Sequence, residues 1–258
     1  TMISLGGGVV GDLCGLAASI YMRGINWLQI PTTLLAQVDA AVGGKTGCNH
    51  LGIKNLIGTF YQPMAVLADI TLLRTLSNRE YRSGLAEVIK YGVVCDAEFF
   101  SWLENNQVDI INRDEQALQF IVARCCAIKQ EIVNLDERDQ KQRMILNFGH
   151  SFGHALEAAT DFKYYLHGEA VAIGMLLASQ LAVKIGLIDQ VILNRLACLV
   201  SNLNLQIEWN KGLCSPSMLL DYMMYDKKKR AGKLNLILPC ALGKALIISE
   251  PDVPCIED

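Results

Sequence analysis

Apolar positions along the chain follow two rhythms. Up to about residue 70 they come in short runs closed by glycine or proline. Residues 1–5 run into Gly6-Gly7-Gly8, residues 27–30 run into Pro31, and residues 64–70 read as a further buried strand. Short apolar runs bounded by turn residues are strand signals. The glycines from Gly6 to Gly11 open an expected helix over 13–21. Thr32 or Thr33 is placed to cap another over 34–41, which Gly43-Gly44 ends. From about residue 71 the spacing turns helical, at 79–92, 96–105, 115–136, 148–159, 168–185 and 191–203. Residues 234–238 and 245–249 flank Pro239 and Gly243 as a short hairpin. No repeat or low-complexity linker interrupts this. The pattern predicts an α/β part over 1–71 and an all-α domain over 72–258. An opening strand is not stable without neighbours, so we expect the α/β part to lack its N-terminal portion.

Composition narrows the class. Of 258 residues, 52% are apolar and 19% charged, enough for a substantial core and unlike a disordered chain. Against 23 Lys and Arg stand 26 Asp and Glu, so no global basic field draws in nucleic acid. The most apolar stretch lies between Glu169 and Lys184, and Ser179 and Gln180 interrupt it; it reads as a buried helix rather than a membrane span. Nine cysteines, an odd number without a Cys-x-x-Cys pair, and an opening without a secretory leader lead us to expect a reduced, cytoplasmic compartment.

Several constellations carry chemistry. Gly6-x-Gly8-x-x-Gly11, between a strand and a helix, has the spacing of a dinucleotide fingerprint, in which bare backbone approaches a pyrophosphate at a helix N-terminus. The acidic ribose partner expected about 20 residues later is missing, so a turn that merely packs helix on sheet stays open. Gly43-Gly44-Lys45-Thr46 is not a P-loop, because Asp39 stands where that motif needs glycine. What remains is an irregular loop holding Asp39, Lys45, Lys54 and Asn55, suited to an anion or simply solvated.

The histidines are sharper. Three of the four, His150, His154 and His167, fall in one short window, and His150 and His154 share a helix face at i and i+4. Such imidazoles bind a metal, or divide ligand and proton-transfer duties; hydrogen-bonded core histidines are the other reading. Glu87 sits in an apolar helix where a lone carboxylate is costly, with Lys90 three residues on. It is the candidate third ligand for a catalytic zinc with an open position, a plain Glu–Lys helix pair being the other reading. Arg143 and Asn147 precede His150 at helical spacing, Lys129 lies in the helix before, and residues 226–230 form a basic run after a Tyr/Met-rich helix.

Together these residues resemble the 3-dehydroquinate synthase family. The blocks are 6–12, 21–24, 30–36, 38–46, 54–58, 86–92, 147–155, 167–171 and 226–228, in order across nearly the whole chain. The resemblance implies a Rossmann-like NAD-binding α/β domain followed by a helical metal-binding domain, and conversion of 3-deoxy-D-arabino-heptulosonate 7-phosphate to 3-dehydroquinate and phosphate. It implies catalytic NAD, Zn2+ or Co2+, and a homodimer. By motif position it assigns the metal to Glu87, His150 and His167. It assigns NAD to Gly7, Gly8, Val9, Asp12, Thr32, Thr33, Asp39, Lys45 and Lys54. It gives substrate or catalytic roles to Arg23, Lys45, Asn55, Lys90, Lys129, Arg143, Asn147, His154 and one of Lys227 and Lys228. Another sugar-phosphate cyclase, a metal-dependent polyol dehydrogenase and an inactive remnant are the competing readings.

Overall fold

The structure, a computed structural model, describes residues 1–50, 53–139, 142–205, 209–229 and 235–249, with backbone only at 53, 54 and 225–229. It divides into two compact units, Thr1–Gly84 with Arg113–Gln142, and Leu85–Asn112 with Arg143–Asp258.

In the first unit β1 (Met2–Gly6), α1 (Gly8–Ile20) and β2 (Trp27–Pro31) make a β-α-β crossover, the strands parallel from Met2↔Trp27 to Gly6↔Pro31. Helix α1 begins five residues before the expected Leu13, taking in the glycine run. Gly11 and Gly15 are buried there, against Gln29 and Trp27. The stretch read as an irregular loop is an antiparallel ribbon of β3 (Lys45–His50) and β4 (Ile53–Phe60), with Thr46 Oγ1 donating to the Thr59 carbonyl at 3.0 Å. Glycines at 47, 52 and 58 had masked the strand propensity of their β-branched neighbours. The buried strand expected over 64–70 shrinks to β5 (Ala65–Val66), paired only to β2 in the order β1-β2-β5, with Met64 66% and Leu67 64% exposed. Asp69 ends it early, accepting the Thr71 N–H at 2.9 Å to start a turn over Ile70–Thr75.

The helices follow as α2 (Asn78–Val94), α3 (Ala97–Asn105), α4 (Gln107–Ile111) and α5 (Glu115–Leu135). Asp96 and Asp114 cap α3 and α5. The grouping differs from a division at 71/72: it falls inside α2, and α5 belongs with the first unit. Helix α5 packs on the turn Ala36–Ala40, where Cys126 Sγ donates to the Gln37 carbonyl at 3.3 Å and Lys129 meets Asp39. Periodicity finds a helix but not the layer it packs on.

The second unit holds α6 (His150–Ala159), α7 (His167–Lys184), α8 (Gln190–Asn202) and α9 (Pro216–Lys229), with an antiparallel pair β6 (Asn235–Ala241) and β7 (Lys244–Ser249). Pro239 stands inside β6 opposite Ala245 rather than in the connecting turn. Helix α7 buries most of its residues, as its largely apolar sequence requires. Helix α4, at five residues, was too short to show a period. Among the described residues no helix is long and apolar enough to cross a membrane.

Candidate active site

In the second unit three histidines meet near the starts of α6 and α7. Gly149, in the left-handed region at φ 78°, turns the chain into α6 so that His150 is its first residue. A side chain at Gly174 of α7 would lie 2.0 Å from the Gly149 carbonyl, so the two helices meet backbone to backbone there. That contact brings His167, the first residue of α7, against the His150/His154 face of α6. The ligand atoms of the three histidines lie within 4.8 Å of one another. Glu87, from α2, places Oε1 3.4 Å from His150 Nε2 and 3.6 Å from His167 Nε2. Lys90, one turn along, forms an ion pair with Glu87; both are 1% exposed. Lys90 Nζ also lies 5.0 Å from the Tyr91 ring centroid.

The imidazoles are oriented as ligands. The Phe148 carbonyl can only accept, so His150 donates to it from Nδ1 at 3.1 Å and turns the lone pair of Nε2 toward Glu87. Burial pushes His150 down to about 4, outweighing the opposite pull of Glu87, so its ring is neutral near pH 7. A carboxylate and two or three imidazoles close together form the nitrogen and oxygen donor set that suits zinc or cobalt. The residues therefore fit the metal the sequence led us to expect.

The remaining expected site residues of this unit fall on two elements. Arg143 is buried and Asn147 half-buried, both on the turn Gln142–Asn147 that leads into His150. Lys227 and Lys228 fall on the last turn of α9, and their side chains lie outside the described residues.

In the first unit Gly7 is the N-cap of α1, with no side-chain cap bond, and Gly8 and the exposed Val9 begin the helix. That leaves bare N–H groups at a helix start, which fits a pyrophosphate. Asp12, Lys45 and Thr46 line one narrow cleft with Gly11. The Thr32 N–H donates to the Gly6 carbonyl at 2.9 Å, and Thr33 Oγ1 caps the next helix by accepting the Ala36 N–H at 3.2 Å. Lys129 Nζ lies 3.0 Å from Asp39 Oδ1 and donates to the Asp39 carbonyl at 2.5 Å. Lys45 pairs with Asp139. Asn55 has φ 51° and donates its N–H to Asn49 Oδ1 at 2.9 Å. Arg23 is exposed just beyond α1, and the Lys54 side chain lies outside the described residues.

Sequence reasoning missed Asp139 and Glu157. Glu157 is buried and accepts from His167 Nδ1 at 3.2 Å. The signal was present, since 150, 154 and 157 run i, i+4, i+7 along one helix face.

The family models described as 3-dehydroquinate synthase N-terminal and C-terminal match residues 1–83 and 84–229. The chain belongs to the 3-dehydroquinate synthase family. The 3-dehydroquinate synthase of Desulforamulus reducens is 50% identical over 250 residues, 97% of this chain and 69% of that relative. Among solved structures, the 2-epi-5-epi-valiolone synthase ValA of Streptomyces hygroscopicus, with NAD+ and Zn2+ bound, matches at TM-score 0.91. It is 34% identical and covers 99% of this chain and 71% of its own. A 2-deoxy-scyllo-inosose synthase with carbaglucose-6-phosphate, NAD+ and Co2+ matches at TM-score 0.85 and 25% identity, over 99% of this chain and 71% of its own. The expected fold class holds: the Rossmann-like plus helical architecture of the 3-dehydroquinate synthase family is the one described above.

Proposed function

We propose that the chain carries out the reaction of its family, conversion of 3-deoxy-D-arabino-heptulosonate 7-phosphate to 3-dehydroquinate and phosphate, using NAD and one divalent metal. The approach of Glu87 to His150 and His167, beside the cluster these two histidines make with His154, is the observation that carries this reading. When bound, NAD supplies a transient hydride acceptor and the metal polarises the hydroxyl being oxidised.

The protein's own residues then have these parts. Glu87, His150 and His167 hold the metal, and Lys90 keeps the Glu87 carboxylate charged and fixed in its buried place. His154 moves a proton beside them. A substrate bearing both carboxylate and phosphate calls for several cations, and Arg143 with Asn147, Lys129, Lys45, Arg23, Asn55 and one of Lys227 and Lys228 serve it. Gly7, Gly8, Val9, Asp12, Thr32 and Thr33 take the dinucleotide, with Asp39, Lys45 and Lys54 toward its nicotinamide. Support for that part is the uncapped, glycine-built start of α1. The substrate phosphate assists its own elimination, so the protein contributes orientation and preorganised charge. A cytoplasmic homodimer belongs to the same reading, and light scattering on the purified chain tests the dimer.

Phosphate release from the heptulosonate phosphate, with and without NAD+ and with NADH followed in parallel, tests the function. NAD-dependent release without net NADH is expected, abolished by a chelator and restored by Zn2+ or Co2+. Net NADH would point to a polyol dehydrogenase. Release only from another heptulose or hexose phosphate would point to a different cyclase, and no release from a folded, metal-loaded chain would overturn the proposal.

A further inference from the structure

Glu157 is one of the few carboxylates the fold buries, at 5% exposure, and it stands on the same face of α6 as His150 and His154. Its two oxygens lie 3.3 and 3.2 Å from His167 Nδ1. A carboxylate accepts, so His167 donates from Nδ1, and the lone pair of Nε2 is left facing Glu87 at 3.6 Å. We infer that Glu157 is a positioning residue of the metal site, fixing the tautomer and ring plane of His167 and raising its basicity as a ligand. Outer carboxylates act in this way on ligating imidazoles.

The contrast with His150 sharpens the argument. His150 is oriented by the Phe148 carbonyl, a main-chain acceptor that no substitution removes, and its side chain is 12% exposed. The His167 side chain is 25% exposed, so packing fixes its ring less, and its orientation depends on a side chain from the neighbouring helix. The inference rests on reading Glu87, His150 and His167 as a metal site, so its test must separate the two.

The test uses the full chain, stripped of metal, with Zn2+ affinity measured by competition with a chromophoric chelator and the visible spectrum of the Co2+ form as a second readout. Glu157→Gln retains an acceptor oxygen without the charge and is expected to bind Zn2+ about 10-fold more weakly. Glu157→Ala is expected to lose roughly 100-fold, with a shifted Co2+ spectrum. Circular dichroism of the metal-free variants reports the fold separately; should the alanine variant not fold, the glutamine variant carries the test. Zn2+ affinity of the folded variants within twofold of the parent chain, with an unchanged Co2+ spectrum, overturns the role of Glu157 and leaves the metal site standing. A parent chain that binds no Zn2+, or whose His150→Ala variant binds it equally well, overturns the metal reading and this inference together.

Discussion

Two ion pairs, one in each unit, are kept in opposite conditions. In the second, Glu87 and Lys90 are sealed from water beside three histidines, and each depends on its neighbours for compensation. In the first, Lys45 is half-exposed against Asp139, and Asp39 keeps a quarter of its side chain in solvent beside Lys129. A buried charge is tolerable only with its partners in place, whereas a solvated one can change partner at little cost. The second unit thus seals its charges from water, whereas in the first the half-exposed Lys45 can exchange its carboxylate for an incoming anion while Lys129 stays buried against Asp39.

Substitutions should follow that gradient. Glu87→Gln leaves Lys90 buried without its counter-charge, and urea unfolding should show a loss of about 3–5 kcal/mol. A loss under about 1 kcal/mol would mean that Lys90 is compensated from elsewhere, and the contrast between the units would fail. Gly174→Ala drives a methyl into the Gly149 carbonyl, with an expected cost of about 1–3 kcal/mol in thermal unfolding and weaker metal binding. Lys129→Met should cost about 1–2 kcal/mol by urea unfolding, because Asp39 regains water when its partner goes. Lys45→Ala should shift unfolding by less than about 1 kcal/mol while phosphate release falls at least about tenfold, separating a binding role from a structural one.

The same gradient explains what could be read beforehand. Histidines four apart and a glutamate inside an apolar helix are costly choices, and costly choices show in a sequence; the structure brings Glu87, Lys90, His150, His154 and His167 together. Long helices with a steady period, such as α5 and α8, came within two residues of their bounds. Glycine-rich segments hid their structure, because glycine states no preference. So the ribbon of β3 and β4 passed for a loop, and α1 was begun too late. The placement of α5 depends on tertiary contact and leaves no local trace. Glu157 was overlooked for a simpler reason: an acidic residue in a mixed helix is ordinary until its distant acceptor role is known.

The meeting of Gly149 and Gly174 limits how this centre can be altered. Where two helices touch main chain to main chain, there is no side chain to trim, and bulk can only be added. The gap between the first imidazole of one helix and that of the next is therefore a property of the backbone. Redesign toward an ion of another size can work instead through the carboxylate arm from α2, which Glu87→Asp shortens by one methylene.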